Sequence, residues 1–132
     1  MMNDLIEQAQ QARQQAYVPY SHFAVGAAVL TDDGKIFQGC NIENGSYSMT
    51  ICAERVAMFS AILAGYHHFK AIAVVGDTHE AVSPCGACRQ VMTEFMHAND
   101  QVILTNLNGD TKAFTVDQIL PYSFSLKDDS IK

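Results

Sequence analysis

Three cysteines constrain the fold of this chain more than any other feature. Cys52 opens the Ala-, Met- and Leu-rich stretch Cys52 to Leu63, which reads as a helix closed near Gly65. Cys85 and Cys88 form a Pro-Cys-x-x-Cys at the start of another helical stretch, announced by Ser83-Pro84 and running to about His97. Ser is a good N-cap, and Pro is tolerated at the first helical position because its missing N–H has no partner there. On a helix the two cysteines of a CxxC share one face. If Cys52, thirty-three positions earlier, joins them, two helix starts must meet at one point. The partial positive charge of both helix ends then favours thiolate over thiol.

The remaining pattern supplies the scaffold. Leu5, Ile6, Ala9, Ala12, Arg13 and Ala16 recur at helical spacing, so residues 3–16 read as a first helix, and Pro19 bars its continuation. Phe23 to Leu30 and Lys35 to Cys40 read as two strands joined by an Asp32-Asp33-Gly34 turn. Asn41 to Thr50 is a polar loop. Ala71 to Val75 is a short buried strand, Gln101 to Thr105 a fourth, and Lys112 to Thr115 a fifth after the Asn108-Gly109 turn. Val116 to Leu120 makes one helical turn before Pro121. The order αββαβαββ implies an α/β fold, and we expect a three-layer α/β/α sandwich around a five-stranded mixed sheet. The 132 residues suit a single domain, 1–132.

Charge narrows the partners. Eight Lys and Arg stand against fourteen Asp and Glu, a net −6. No basic run offers the face that a nucleic-acid polymer or an anionic membrane requires. A small neutral ligand fits better. The first fifteen residues lack the basic start and apolar run of a targeting signal, and the longest apolar stretch is too short to span a bilayer. A cytoplasmic location is the expectation, and four cysteines there point to metal or catalysis before disulfides.

The CxxC alone permits three chemistries: a redox pair, a structural zinc site closed by Cys40 as fourth thiolate, or a catalytic zinc site of three thiolates with an open position for water. Glu54, two residues after Cys52, favours the last, because a neighbouring carboxylate can take the proton of such a water and return it to substrate. Three thiolates on a divalent ion leave one negative charge in excess. Arg55 and Gln90 are the candidates to offset it, although Arg89 and Gln90 also read as braces of their helix. Cys40, ending a strand, reads as a small buried residue. The histidines read as surface residues, with His67-His68 placed favourably at a helix end.

A ligand, one residue, Glu, and a later Pro-Cys-x-x-Cys is the signature of zinc-dependent deaminases. The segments Cys52-Ala53-Glu54-Arg55 and Pro84-Cys85-Gly86-Ala87-Cys88-Arg89-Gln90 resemble those of the small homotetrameric cytidine deaminases. The likeness extends to Pro19-Tyr20-Ser21-His22-Phe23-Ala24-Val25-Gly26-Ala27-Ala28 and Gly39-Cys40-Asn41-Ile42-Glu43-Asn44, and covers roughly residues 16–125. It implies one zinc per subunit on Cys52, Cys85 and Cys88, and a zinc-activated hydroxide that attacks C4 of cytosine with Glu54 as proton shuttle. It implies Phe23 packed on the nucleoside, Asn41 and Glu43 on the ribose hydroxyls, and the Ala53 amide on the base carbonyl. Tyr47 and Phe124 would reach a neighbouring subunit's site in a homotetramer. The expected reaction is hydrolysis of cytidine and 2′-deoxycytidine to uridine and 2′-deoxyuridine plus ammonia, a step of pyrimidine salvage. Glu43 would repel a 5′-phosphate, which favours a nucleoside over a nucleotide.

Overall fold

Strands apolar on both faces belong in the middle of a sheet covered on both sides. Val25–Thr31 (β1) and Phe69–Gly76 (β3) are of this kind, buried along almost their whole length. In the computed structural model, which describes residues 2–127, they lie side by side in a five-stranded sheet. Ile36–Cys40 (β2) flanks β1, and Gln101–Asn106 (β4) and Thr111–Thr115 (β5) follow β3, giving the order β2-β1-β3-β4-β5. Only the β3–β4 pair is parallel; the other pairs are antiparallel. The parallel pair needs a crossover, and Gly86–Phe95 (α3) supplies it.

Met2–Arg13 (α1) covers one face, where Leu5 and Ala9 pack with Ala28, Leu30, Ala73 and Val75. Ala53–Leu63 (α2) and α3 cover the other, where Ala57, Met58 and Met92 pack with Val29, Val74 and Leu104. The expected three-layer α/β/α arrangement is what forms. Alternate residues of β4 divide between the layers: Val102 and Leu104 face α2 and α3, Ile103 faces α1. Two glycines set how closely the helices sit. A Cβ on Gly26 would stand 2.0 Å from the Ala9 carbonyl oxygen of α1, and one on Gly39 would stand 2.3 Å from the Ala57 nitrogen of α2.

Several expected boundaries move, each for a tertiary reason. The first helix stops at Arg13 instead of Ala16: residues 14–16 tighten into i→i−3 bonds, and the Tyr17 N–H turns to Asn41 O at 3.0 Å. The first strand begins at Val25 instead of Phe23, because the Asn41 side chain takes both the Phe23 carbonyl and the Val25 amide. Ser83-Pro84 does not start α3. Cys85 is its N-cap, the thiol accepting from the Cys88 amide at 3.4 Å, and the helix ends at Phe95, short of His97. Gly65 closes α2 as expected, at φ +102, with Gly65 N bonded to Ile62 O and Tyr66 N to Ala61 O. Val116–Ile119 (α4) is one turn held by a Thr115/Gln118 capping box. The Asp128-Asp129 tail, read from sequence as a solvated end, lies outside the described residues.

Candidate active site

Cys52 is the N-cap of α2 and Cys85 the N-cap of α3, so the two helix starts do converge. The Cys52 and Cys85 sulfurs are 3.6 Å apart, those of Cys85 and Cys88 3.4 Å, and all three lie within 4.8 Å of one another. A tetrahedral zinc with bonds of about 2.3 Å holds its sulfurs about 3.8 Å apart, so the donor set and spacing fit that ion. Among the described residues Cys40 does not join the group. It is half-buried and its thiol is raised by desolvation, as befits a packed side chain. A closed four-thiolate site is therefore not what these residues build.

The cluster is electrostatically uneven. Hydrogen bonding from Cys88 first, then from Arg55 and Cys85, brings Cys52 down to about 5 in spite of desolvation. Cys88 is pushed up by the same bond and by its burial. Cys52 is thus held as thiolate more readily than Cys88. Arg55 Nη2 donates to the Cys52 sulfur at 3.4 Å, as the sequence suggested, and its Nε is buried with no hydrogen-bond partner among the described residues. That donor capacity lies where three thiolates would leave excess negative charge.

Glu54 stands in the first turn of α2, only 4 % exposed. Burial, and next among the raising causes the Cys52 charge, lift its pKa to about 7. Such a carboxyl can both take and return a proton near neutral pH. The first intrahelical bond of α2 runs from Val56 N to Cys52 O, so the Ala53 amide has no partner within the helix and is free to meet an acceptor.

Of the other expected substrate residues, Phe23, Asn41 and Glu43 lie in the segments flanking β1 and β2, and Tyr47 opens a short 3-10 helix ahead of α2. A cavity of about 360 Å³ is lined by Tyr20, Ser21, Glu43, Tyr47 and Thr50. The Glu43 carboxylate accepts from the Tyr20 and Ser21 amides and from the Ser21 hydroxyl, and its pKa is lowered, first by that hydroxyl. Ser21 Oγ in turn accepts from the Phe23 amide, so Ser21 links two of the expected contacts, a role the sequence reading missed. Asn41 pins the backbone on both sides of Ala24. Tyr47 is 75 % exposed and Phe124 68 %, so one chain does not bury either. Gln90 does not reach the sulfurs: its amide donates to Phe124 O at 3.1 Å and to Thr93 Oγ1. His68 also departs from expectation. It sits between Asp32 and Asp100, 2.7 Å from each, at the opposite end of α2 from Cys52.

This fold and this cluster define a zinc-type deaminase architecture. A family model described as the cytidine and deoxycytidylate deaminase zinc-binding region matches residues 2–105. The chain belongs to that family. It is 58% identical over 124 residues to a cytidine deaminase of Sporosarcina psychrophila, spanning 94% of this chain and 91% of the relative. It is 54% identical to a cytidine deaminase of Halalkalibacterium halodurans, spanning 94% of each. Its fold superposes on the crystal structure of cytidine deaminase from Burkholderia pseudomallei with a TM-score of 0.92 at 53% identity, covering 94% of this chain and 99% of that one. No described helix is long and apolar enough to cross a membrane.

Proposed function

We propose that the chain hydrolyses cytidine and 2′-deoxycytidine to uridine and 2′-deoxyuridine with release of ammonia, using one zinc per subunit on Cys52, Cys85 and Cys88. The observation that carries this reading is a buried Glu54 in the helix turn that Cys52 caps, beside a three-thiol cluster of metal-binding geometry. Zinc, when bound, supplies a Lewis acid with an open position for water. Glu54 would take one proton of the attacking water and deliver it to N3 of the base, then take the second from the hydroxyl left on C4 and deliver it to the amine, which leaves as ammonia while C4 becomes a carbonyl. The Ala53 amide donates to the base carbonyl. Glu43 accepts from a ribose hydroxyl, Asn41 offers both a donor and an acceptor, and Phe23 packs on the nucleoside. Arg55 offsets the charge of the thiolates. The site is built to bind the tetrahedral geometry at C4 more tightly than the flat ring.

A nucleoside is favoured over its 5′-phosphate because the cavity is lined by Glu43 and by no Lys or Arg. A homotetramer with shared sites is favoured because Tyr47 and Phe124, like Leu63 on α2 at 90 % exposure, stand uncovered on the single chain. Three thiols within 4.8 Å survive as ligands only under reducing conditions, which supports a cytoplasmic setting and a role in salvage of free nucleosides.

Metal analysis with cytidine turnover, on the parent and on Glu54→Gln, tests the assignment. Retained zinc with turnover reduced at least 10²–10⁴-fold is expected, the range lost with a general acid–base group. Unchanged turnover would end the proposal. Faster turnover of cytidine 5′-monophosphate than of cytidine would overturn the substrate class.

A further inference from the structure

Arg89 carries a feature that the deaminase chemistry leaves unassigned. It projects from the first turns of α3, and each nitrogen of its guanidinium meets a different acceptor. Nε donates to Pro84 O at 2.9 Å, Nη2 to Ser83 Oγ at 2.8 Å, and Nη1 to Ile119 O at 2.9 Å. Pro84 O belongs to the peptide that enters Cys85, whose φ of −68° and ψ of 162° aim its thiol at Cys52 and Cys88. Rotation of that peptide would carry the Cys85 sulfur out of the cluster. Ile119 is the last residue of α4, from which the chain continues through Pro121 to Phe124. The next residue of α3, Gln90, holds Phe124 O at 3.1 Å.

We propose that Arg89 is a positioning residue for Cys85, and that its fork joins this ligand to the C-terminal segment bearing Phe124. The inference rests on Cys85 being a zinc ligand. Three acceptors in three directions require a rigid planar donor, which arginine provides and lysine does not. The bonds are charge-assisted, and Pro84 and Ile119 are themselves buried, so the anchor points are firm. Groups that orient metal ligands from behind typically change metal affinity 10–100-fold when removed. Here the same group also holds Ile119, five residues before an aromatic proposed to reach a neighbouring site, while the adjacent Gln90 holds the carbonyl of that aromatic. Ligand geometry and the course of the C-terminal segment therefore share one support.

The test is zinc competition against a chromophoric chelator, read as metal affinity, on Arg89→Gln, Arg89→Lys and Ser83→Ala. Leu5→Ala, in the core under α1, serves as the control for general destabilisation. The parent is expected to bind one zinc. Affinity should fall about 10–100-fold in Arg89→Gln. Arg89→Lys should recover part of it, Ser83→Ala should lose a few-fold, and Leu5→Ala should match the parent while folded. Parent-like affinity in folded Arg89→Gln overturns the proposal. If Arg89→Gln does not fold, parent-like affinity in Ser83→Ala overturns it. Hydrogen exchange supplies the second readout: amides of residues 83–88 and 119–124 should lose protection together. Loss confined to 83–88 refutes the link to the C-terminal segment. A parent that binds no zinc sinks the ligand assignment itself, an outcome distinct from a parent that binds zinc and variants that bind it equally well.

Discussion

The two halves of the proposed site are built from different material. The cysteine cluster and Glu54 sit on the starts of two helices packed against a covered sheet, and Glu54, Ala53 and Cys88 are buried within the single chain. The nucleoside half is made mostly of loops: Glu43 and Tyr47 line an open cavity, Phe23 and Asn41 lie on the segments flanking β1 and β2, and Phe124 is on the last described segment. Chemistry that moves protons needs groups fixed to fractions of an ångström, which rigid elements supply. Recognition can be shared with a second copy of the chain. On the proposed reading, the contrast teaches that the single chain buries most of its reaction centre and leaves its recognition residues open.

Cys88→Ala should break the first half most severely. Zinc content is expected to fall from one per chain to near none, with turnover lost, by metal analysis and a cytidine assay. Wild-type zinc content in this variant would mean that the buried sulfur is not a ligand. Phe124→Ala should instead touch only the second half. A lost aromatic contact of about 1–2 kcal/mol raises KM roughly tenfold, with kcat and zinc content close to the parent. A kcat loss of the same size would move Phe124 from recognition into the reaction centre.

A third region sharpens the comparison because it should affect neither half. His68 lies between Asp32 and Asp100, and its ring packs at a tilt of 38° against that of His97, centroids 4.1 Å apart. Burial opposes charge on His68, but hydrogen bonds to Asp32 and Asp100 outweigh it and hold its pKa above the ordinary 6.5. The raised pKa means that this stabilisation is fully present below pH of about 6.5 and is lost as pH rises through the folded-state value. His68→Gln should therefore flatten the fall of thermal stability across that window, by about 1 kcal/mol or less for so exposed a cluster. Cytidine turnover should stay within two-fold. An unchanged stability–pH profile would show the ion pairs to be ornamental. The smallest effect belongs to Cys40→Ala, where zinc content and turnover should equal the parent's.

Much of this was legible along the chain, for a physical reason. Apolar runs and helical spacing are local signals, and they place all five strands and the three long helices within a few residues. The proposed reaction centre was legible for the same reason, because Cys52 and Glu54, and Cys85 and Cys88, are near neighbours in sequence, and the three cysteines do cluster. What the sequence hid depends on residues far apart. Phe23 leaves the strand because Asn41, eighteen residues on, takes its backbone bonds. Cys85 caps α3 in place of Ser83, whose hydroxyl is engaged by Arg89. Gln90 turns to Phe124, thirty-four residues away, instead of the sulfurs. His68 finds its carboxylates thirty-six and thirty-two positions off. No local pattern announces such pairings.

Gly26 and Gly39 lie at neighbouring rungs of the β1–β2 ladder, where Gly26 faces Cys40 and Ala27 faces Gly39. One admits α1 from above and the other admits α2 from below. At this spot the molecule is as thin as a backbone allows, and the seating of the Cys52–Glu54 turn depends on that thinness. A single methyl group at residue 39 would wedge α2 outward by the ångström or so that separates a working proton relay from a misaimed one. Variants aimed at other substrates thus have the loops around Ser21 and Tyr47 to change, whereas a side chain at either glycine collides with helix backbone. The freedom to evolve specificity and the refusal to relocate the chemistry both trace to where side chains are missing.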